Sequence, residues 1–116
     1  MVANMRGRSG GVRTWVIQRL SAVYIAVFMV MFLFQLTTQP PIDFQSWHSM
    51  IASPLVNIAF ICFWIAVISH AWIGMRDVIM DYVHDDGLRF IVLSLLGLFL
   101  VFMLVWLIKI LITVGF

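Results

Sequence analysis

Residues 55–80 read LVNIAFICFWIAVISHAWIGMRDVIM, and the apolar part of this stretch reaches Met75 before the first charged side chain, Arg76. At about 1.5 Å of rise per residue, a helix of that length crosses a hydrocarbon core of about 30 Å. Working outward, Trp15 to Leu36 and Leu88 to Val114 are apolar runs of the same kind. The chain has 116 residues, of which 64% are hydrophobic and 10% charged, and its mean hydropathy is +1.10. Soluble domains average about 25% charged residues, and a chain this short cannot bury so much apolar surface within itself. The predicted fold class is all-α: an integral membrane protein of three transmembrane helices, with the lipid bilayer and partner helices as its solvent. Residues 1–14 are predicted to be a polar N-terminal tail, ordered only where a partner holds it, and residues 15–116 the three-helix anchor domain.

The punctuation between the runs is consistent with this division. An Arg-rich start before an apolar run also suits a signal peptide. However, Trp15–Leu36 is long for that role and no small-residue cleavage site follows, so a retained helix is expected. Pro40 and Pro41 stop the first helix, and Pro54 suits the first turn of the second, predicted over about Leu55–Met80. Between them, Trp47 and His48 are expected on a short interfacial segment. Asp85, Asp86 and Gly87 are predicted to turn the chain into the third helix, Leu88–Val114, where Lys109 is near enough to the end to snorkel outward.

Charge placement suggests an orientation. Arg6, Arg8, Arg13 and Arg19 crowd the start, Arg76 and Arg89 flank the second loop, and the first loop has no Lys or Arg. The positive-inside tendency then sets the N-terminus and second loop toward the cytoplasm, or the matrix of a mitochondrion, with Lys109 dissenting. A bacterial inner membrane is the expected location, and a mitochondrial inner membrane otherwise. The net charge of +2 and pI near 9.2 do not signal nucleic-acid binding, which needs a broad basic face with interleaved aromatics. Cys62 is the single cysteine, so no intrachain disulfide or thiolate metal set is available, and it reads as a small apolar residue.

The chemistry-bearing residues gather at one end of the second helix. His70 lies six residues before Arg76, roughly 9 Å inside the membrane by helical rise. An ionisable residue at that depth is a functional candidate, although a neutral histidine also serves as hydrogen-bonding glue between helices. Ala66, His70 and Gly74 follow one i, i+4 ridge that Asp77 and Asp81 continue. The small residues open a slot beside the imidazole that suits a planar macrocycle such as haem. It equally suits a neighbouring helix, and spacing does not separate the two. Structural zinc, with four ligands, is a poor match to one histidine. Arg19 reads as a snorkelling cation or as a partner for a haem propionate. Asp81 and Tyr82 close the helix as interfacial residues, or as a carboxylate and phenol donor facing a quinone.

The segment His70–Val83, HAWIGMRDVIMDYV, closely resembles the small D-type hydrophobic membrane anchor of succinate dehydrogenase, respiratory complex II. His70, Gly74, Asp81 and Tyr82 match that family's pattern, and WVIQRLSAV at Trp15–Val23 is similar to its pre-helix segment. Arg76 departs from it, since some relatives carry an aromatic there. The resemblance implies that His70 is one axial ligand of haem b, shared with a second haem-binding membrane subunit, and that Arg19 lies near the propionates. It implies that Tyr82 hydrogen-bonds ubiquinone with support from Asp81, and that flavoprotein and iron–sulfur subunits bind on the cytoplasmic or matrix side. The alternative is a cofactor-free structural anchor of a fumarate-reductase-like or other respiratory complex.

Overall fold

The structure is a computed structural model that describes residues 11–115 in full and residues 2–10 as helical backbone. Its described residues form four α-helices and no strand: α1 (Val2–Thr38), α2 (Phe44–Ala52), α3 (Pro54–Tyr82) and α4 (Asp86–Gly115). Three of them, over Gly11–Thr38, Pro54–Tyr82 and Asp86–Gly115, are long and apolar enough to span a membrane. Large apolar side chains stand exposed along all three, as lipid permits and water does not. The expected all-α, three-span architecture is therefore present.

The boundaries differ from the sequence expectation in two places. First, α1 begins ahead of Trp15. Once a helix is nucleated in the apolar run, each further residue adds a backbone hydrogen bond, and no proline interrupts the upstream segment. The side chains of Arg6 and Arg8 lie outside the described residues. Second, the α3–α4 connection is shorter than expected, because Asp86 and Gly87 already belong to α4. Asp85 starts that helix: its Oδ1 accepts from the Gly87 N–H at 3.1 Å, and its carbonyl accepts from Arg89 N–H at 2.8 Å. Arg89 in turn donates to the Val83 and Met80 carbonyls at 3.0 and 3.2 Å, satisfying the open end of α3.

At the opposite end, α1 stops before Gln39 and Pro40, because the residue preceding a proline disfavours helical backbone. The short α2 is amphipathic and packs on α3 and α4. Asp43 caps it, accepting from Ser46 N–H at 2.7 Å, and the bonds to Ser46 hold the Asp43 carboxyl below the usual carboxylate range. Pro54 occupies the first turn of α3, where its missing N–H leaves no gap.

Helix α3 is the centre of the molecule. Among the described residues α1 and α4 pack on different flanks of it and do not pack on each other. The α1–α3 seam is aromatic in its middle. Phe28 stacks on Phe63 at 4.4 Å between centroids and meets Phe60 edge-on at 4.9 Å, while the Tyr24 hydroxyl donates to the Ala59 carbonyl at 2.9 Å. The α3–α4 seam is pinned by Asn57, which is fully buried. Its Nδ2 donates to the Leu111 carbonyl at 2.8 Å and the Ile51 carbonyl at 3.2 Å, tying α2, α3 and α4 together. Because α1 runs antiparallel to α3, its early turns lie beside the last turns of α3.

Candidate functional site

That antiparallel pairing sets His70 against the first membrane turns of α1. The His70 Nδ1 lies 3.1 Å from Ser21 Oγ, and Ser21 Oγ donates to the Gln18 carbonyl at 3.0 Å. Gly74, one turn further along α3, faces Gln18: a Cβ placed there would sit 3.7 Å from Gln18 Nε2, an ordinary contact. Part of the small-residue slot read from the sequence is thus filled by this chain's own α1. The imidazole itself is half-buried and remains open on one side.

On that open side His70 lines a groove of about 560 Å³ together with Trp15, Gln18, Arg19, Arg76 and Asp77. The volume falls within the range of small-molecule and cofactor sites, about 300–1,000 Å³. Two guanidinium groups border it. Arg76 Nη2 lies 3.5 Å from Asp77 Oδ1, so its charge is shared with a carboxylate. Arg19 makes no ion pair among the described residues, and its Cζ stands 5.4 Å from the centre of the Trp15 ring. Gln18 Oε1 is buried without a hydrogen-bond partner among the described residues. The groove therefore combines one imidazole, an uncommitted cation and a flat aromatic wall. These features fit a planar group that takes an axial nitrogen at its centre and carries carboxylates at its edge. Among the described residues no cluster of three or more His, Cys, Asp or Glu is arranged to hold a bare metal ion.

The other two candidates stand apart. Asp81 and Tyr82 are exposed at the end of α3, Tyr82 by 80%, and neither lines the His70 groove. Helical geometry accounts for this. Tyr82 is roughly 18 Å further along the axis than His70 and about 120° around it, whereas Asp81 shares the His70 face but lies beyond the end of the groove. His70 and Arg19 are thus brought together by the fold, while Asp81 and Tyr82 form a separate, outward-facing pair. Ser21 and Gln18 were not singled out from the sequence. Their signal was depth, since both sit near the start of helix one at the level His70 occupies near the end of helix two. Arg76 was legible as an orienting charge and as a departure from the family's pattern, not as a lining residue of the groove.

Two comparisons with known proteins bear on this arrangement. Residues 6–105 match the family described as succinate dehydrogenase/fumarate reductase transmembrane subunit. The chain is also 31% identical over 99 residues to a succinate dehydrogenase hydrophobic membrane anchor subunit from Coxiella burnetii, covering 85% of this chain and 86% of that protein. The family match runs across α1 and α3 and so takes in the His70 groove. With its three membrane-spanning helices, the chain belongs to the succinate dehydrogenase/fumarate reductase transmembrane subunit family.

Proposed function

We propose that this chain is the membrane-anchor subunit of a succinate:quinone oxidoreductase, in which His70 supplies one axial ligand of haem b. The observation that carries the reading is the groove that pairs a half-buried imidazole with Arg19, a cation without a carboxylate partner among the described residues. The second axial ligand comes from another membrane subunit, because no second histidine of this chain is at membrane depth. Arg19 would pair with a propionate of that haem, a charge-assisted contact strengthened where water is partly excluded. Haem, when bound, supplies a one-electron relay within the membrane.

At the end of α3, Tyr82 donates a hydrogen bond to a carbonyl oxygen of ubiquinone, and Asp81 supports that site. Exposure of the phenol toward the surroundings of the bundle supports this assignment, since a lipid-borne ring must reach it from outside the chain. The soluble flavoprotein and iron–sulfur subunits dock at the arginine-rich end, which faces the cytoplasm or matrix, and residues 1–14 lie on that side. The clustering of Arg13, Arg19, Arg76 and Arg89 at one end of the helices supports the orientation. The bacterial inner membrane is the proposed location. A cysteine introduced at Gln45 should be labelled only from the opposite face; labelling from the cytoplasmic side would reverse the orientation.

One observation favours a second reading. A histidine bonded to a serine on the neighbouring helix also serves a cofactor-free anchor, as interhelical glue. A reduced-minus-oxidised spectrum of the purified complex, with its subunits identified, separates the two. Low-spin haem bands and co-purifying flavin and iron–sulfur subunits are expected. A complex with those subunits but no haem bands would establish the structural anchor instead.

A further inference from the structure

We propose that Ser21 is a positioning residue for His70: it fixes the imidazole as the Nδ1–H tautomer and leaves Nε2 with its unshared pair. The inference rests on the reading of His70 as an axial ligand and adds the group that prepares it.

The argument is one of proton count. Ser21 Oγ carries one hydrogen and makes two short contacts, to the Gln18 carbonyl at 3.0 Å and to His70 Nδ1 at 3.1 Å. The carbonyl can only accept. Both contacts are hydrogen bonds at once only if the serine proton goes to Gln18 and His70 Nδ1–H supplies the other. The opposite tautomer would leave two acceptors competing for a single hydrogen. Ser21 is only 8% exposed, so water is poorly placed to take up the missing bond, and an unmade bond in a buried site costs more than one in water. The relay therefore runs from Nδ1–H to Ser21 Oγ, and from Ser21 O–H to the Gln18 carbonyl on α1.

Two consequences bear on ligation. A neutral imidazole protonated at Nδ1 presents Nε2 as a lone-pair donor without rotating or losing a proton. A hydrogen bond donated from Nδ1 also raises the basicity of Nε2, the usual effect of an outer partner on a ligating histidine. A more basic ligand favours ferric over ferrous iron, so the Ser21 bond should hold the midpoint potential down.

The test compares wild type, Ser21→Ala, Ser21→Thr and His70→Ala in the complete membrane complex, by redox titration and low-temperature spectroscopy of the haem that remains bound. Ser21→Ala should lower haem affinity about tenfold or more, raise the midpoint potential of the retained haem and alter its low-spin signature. Ser21→Thr, which keeps the hydroxyl, should restore both potential and signature. If Ser21→Ala lowers haem content but the retained haem keeps the wild-type potential and signature, Ser21 serves packing alone and the proposal falls, while ligation by His70 stands. A His70→Ala complex with an unaltered spectrum would instead overturn the ligand assignment and this inference with it.

Discussion

Asn57 and His70 both lie in the apolar run of α3, yet the chain uses them differently. Asn57 is completely buried, and both of its recorded donor contacts go to backbone carbonyls of this same chain, on α2 and α4. His70 is half-buried, has one nitrogen engaged by Ser21, and turns toward a groove bordered by two arginines. One end of α3 is shut off by burial against the chain's own helices; the other opens on a groove. Polarity inside a membrane helix is thus not by itself a mark of function. The distinguishing feature is where the unused bonding capacity points: the Asn57 Oδ1 is buried without a partner among the described residues, whereas His70 faces a groove with complementary charge.

The largest expected effect at the open end is on turnover. Tyr82→Phe keeps the ring and removes only the hydroxyl, so it should slow succinate–quinone reduction about a hundredfold, corresponding to about 3 kcal/mol for one preorganised donor. Succinate oxidation with a soluble artificial acceptor should be nearly unaffected. Asp81→Asn should show the same division more weakly, since water can replace part of a carboxylate's role. Quinone turnover within about twofold of wild type in Tyr82→Phe would reduce the tyrosine to an interfacial anchor.

At the closed end the expected effects are on stability. Asn57→Ala removes two interhelical hydrogen bonds and should destabilise the bundle by about 1–2 kcal/mol, measured by denaturant unfolding in micelles, with the haem spectrum unchanged. Gly115→Ala should act in the same sense but less, because a Cβ there would lie 2.7 Å from the Asn57 amide and displace it from Leu111. In the double variant the two losses should fall short of their sum, since both break the same contact. Full additivity would show that Gly115 acts elsewhere.

The comparison also explains which parts of the molecule were legible beforehand. The three spans could be read from α1, α3 and α4 because lipid forces an apolar run of sufficient length into a helix. Pro40, Pro41 and Pro54 marked real boundaries for reasons local to the backbone. Asn57 passed unnoticed because its main partner is a carbonyl 54 residues away, and a backbone acceptor leaves no trace in side-chain identity. The start of α1 was misplaced because a change in polarity marks the membrane surface, not the end of helical hydrogen bonding. At the site, His70 and Arg19 were visible from depth and charge. Ser21 and Gln18 needed the rotation of α1 about its axis, which a helix apolar on every side does not encode. The separation of Tyr82 from the His70 groove, by contrast, follows from helical spacing alone.

The central claim is that the open end of α3 holds haem and the closed end does not. The direct test is the reduced-minus-oxidised spectrum of His70→Ala beside Asn57→Ala, each in a complex shown by subunit composition to be assembled. The account predicts that His70→Ala loses the low-spin bands or shifts them as another ligand enters, while Asn57→Ala retains wild-type bands despite its lower stability. A His70→Ala complex with the wild-type spectrum would contradict it and leave His70, like Asn57, a bond between helices.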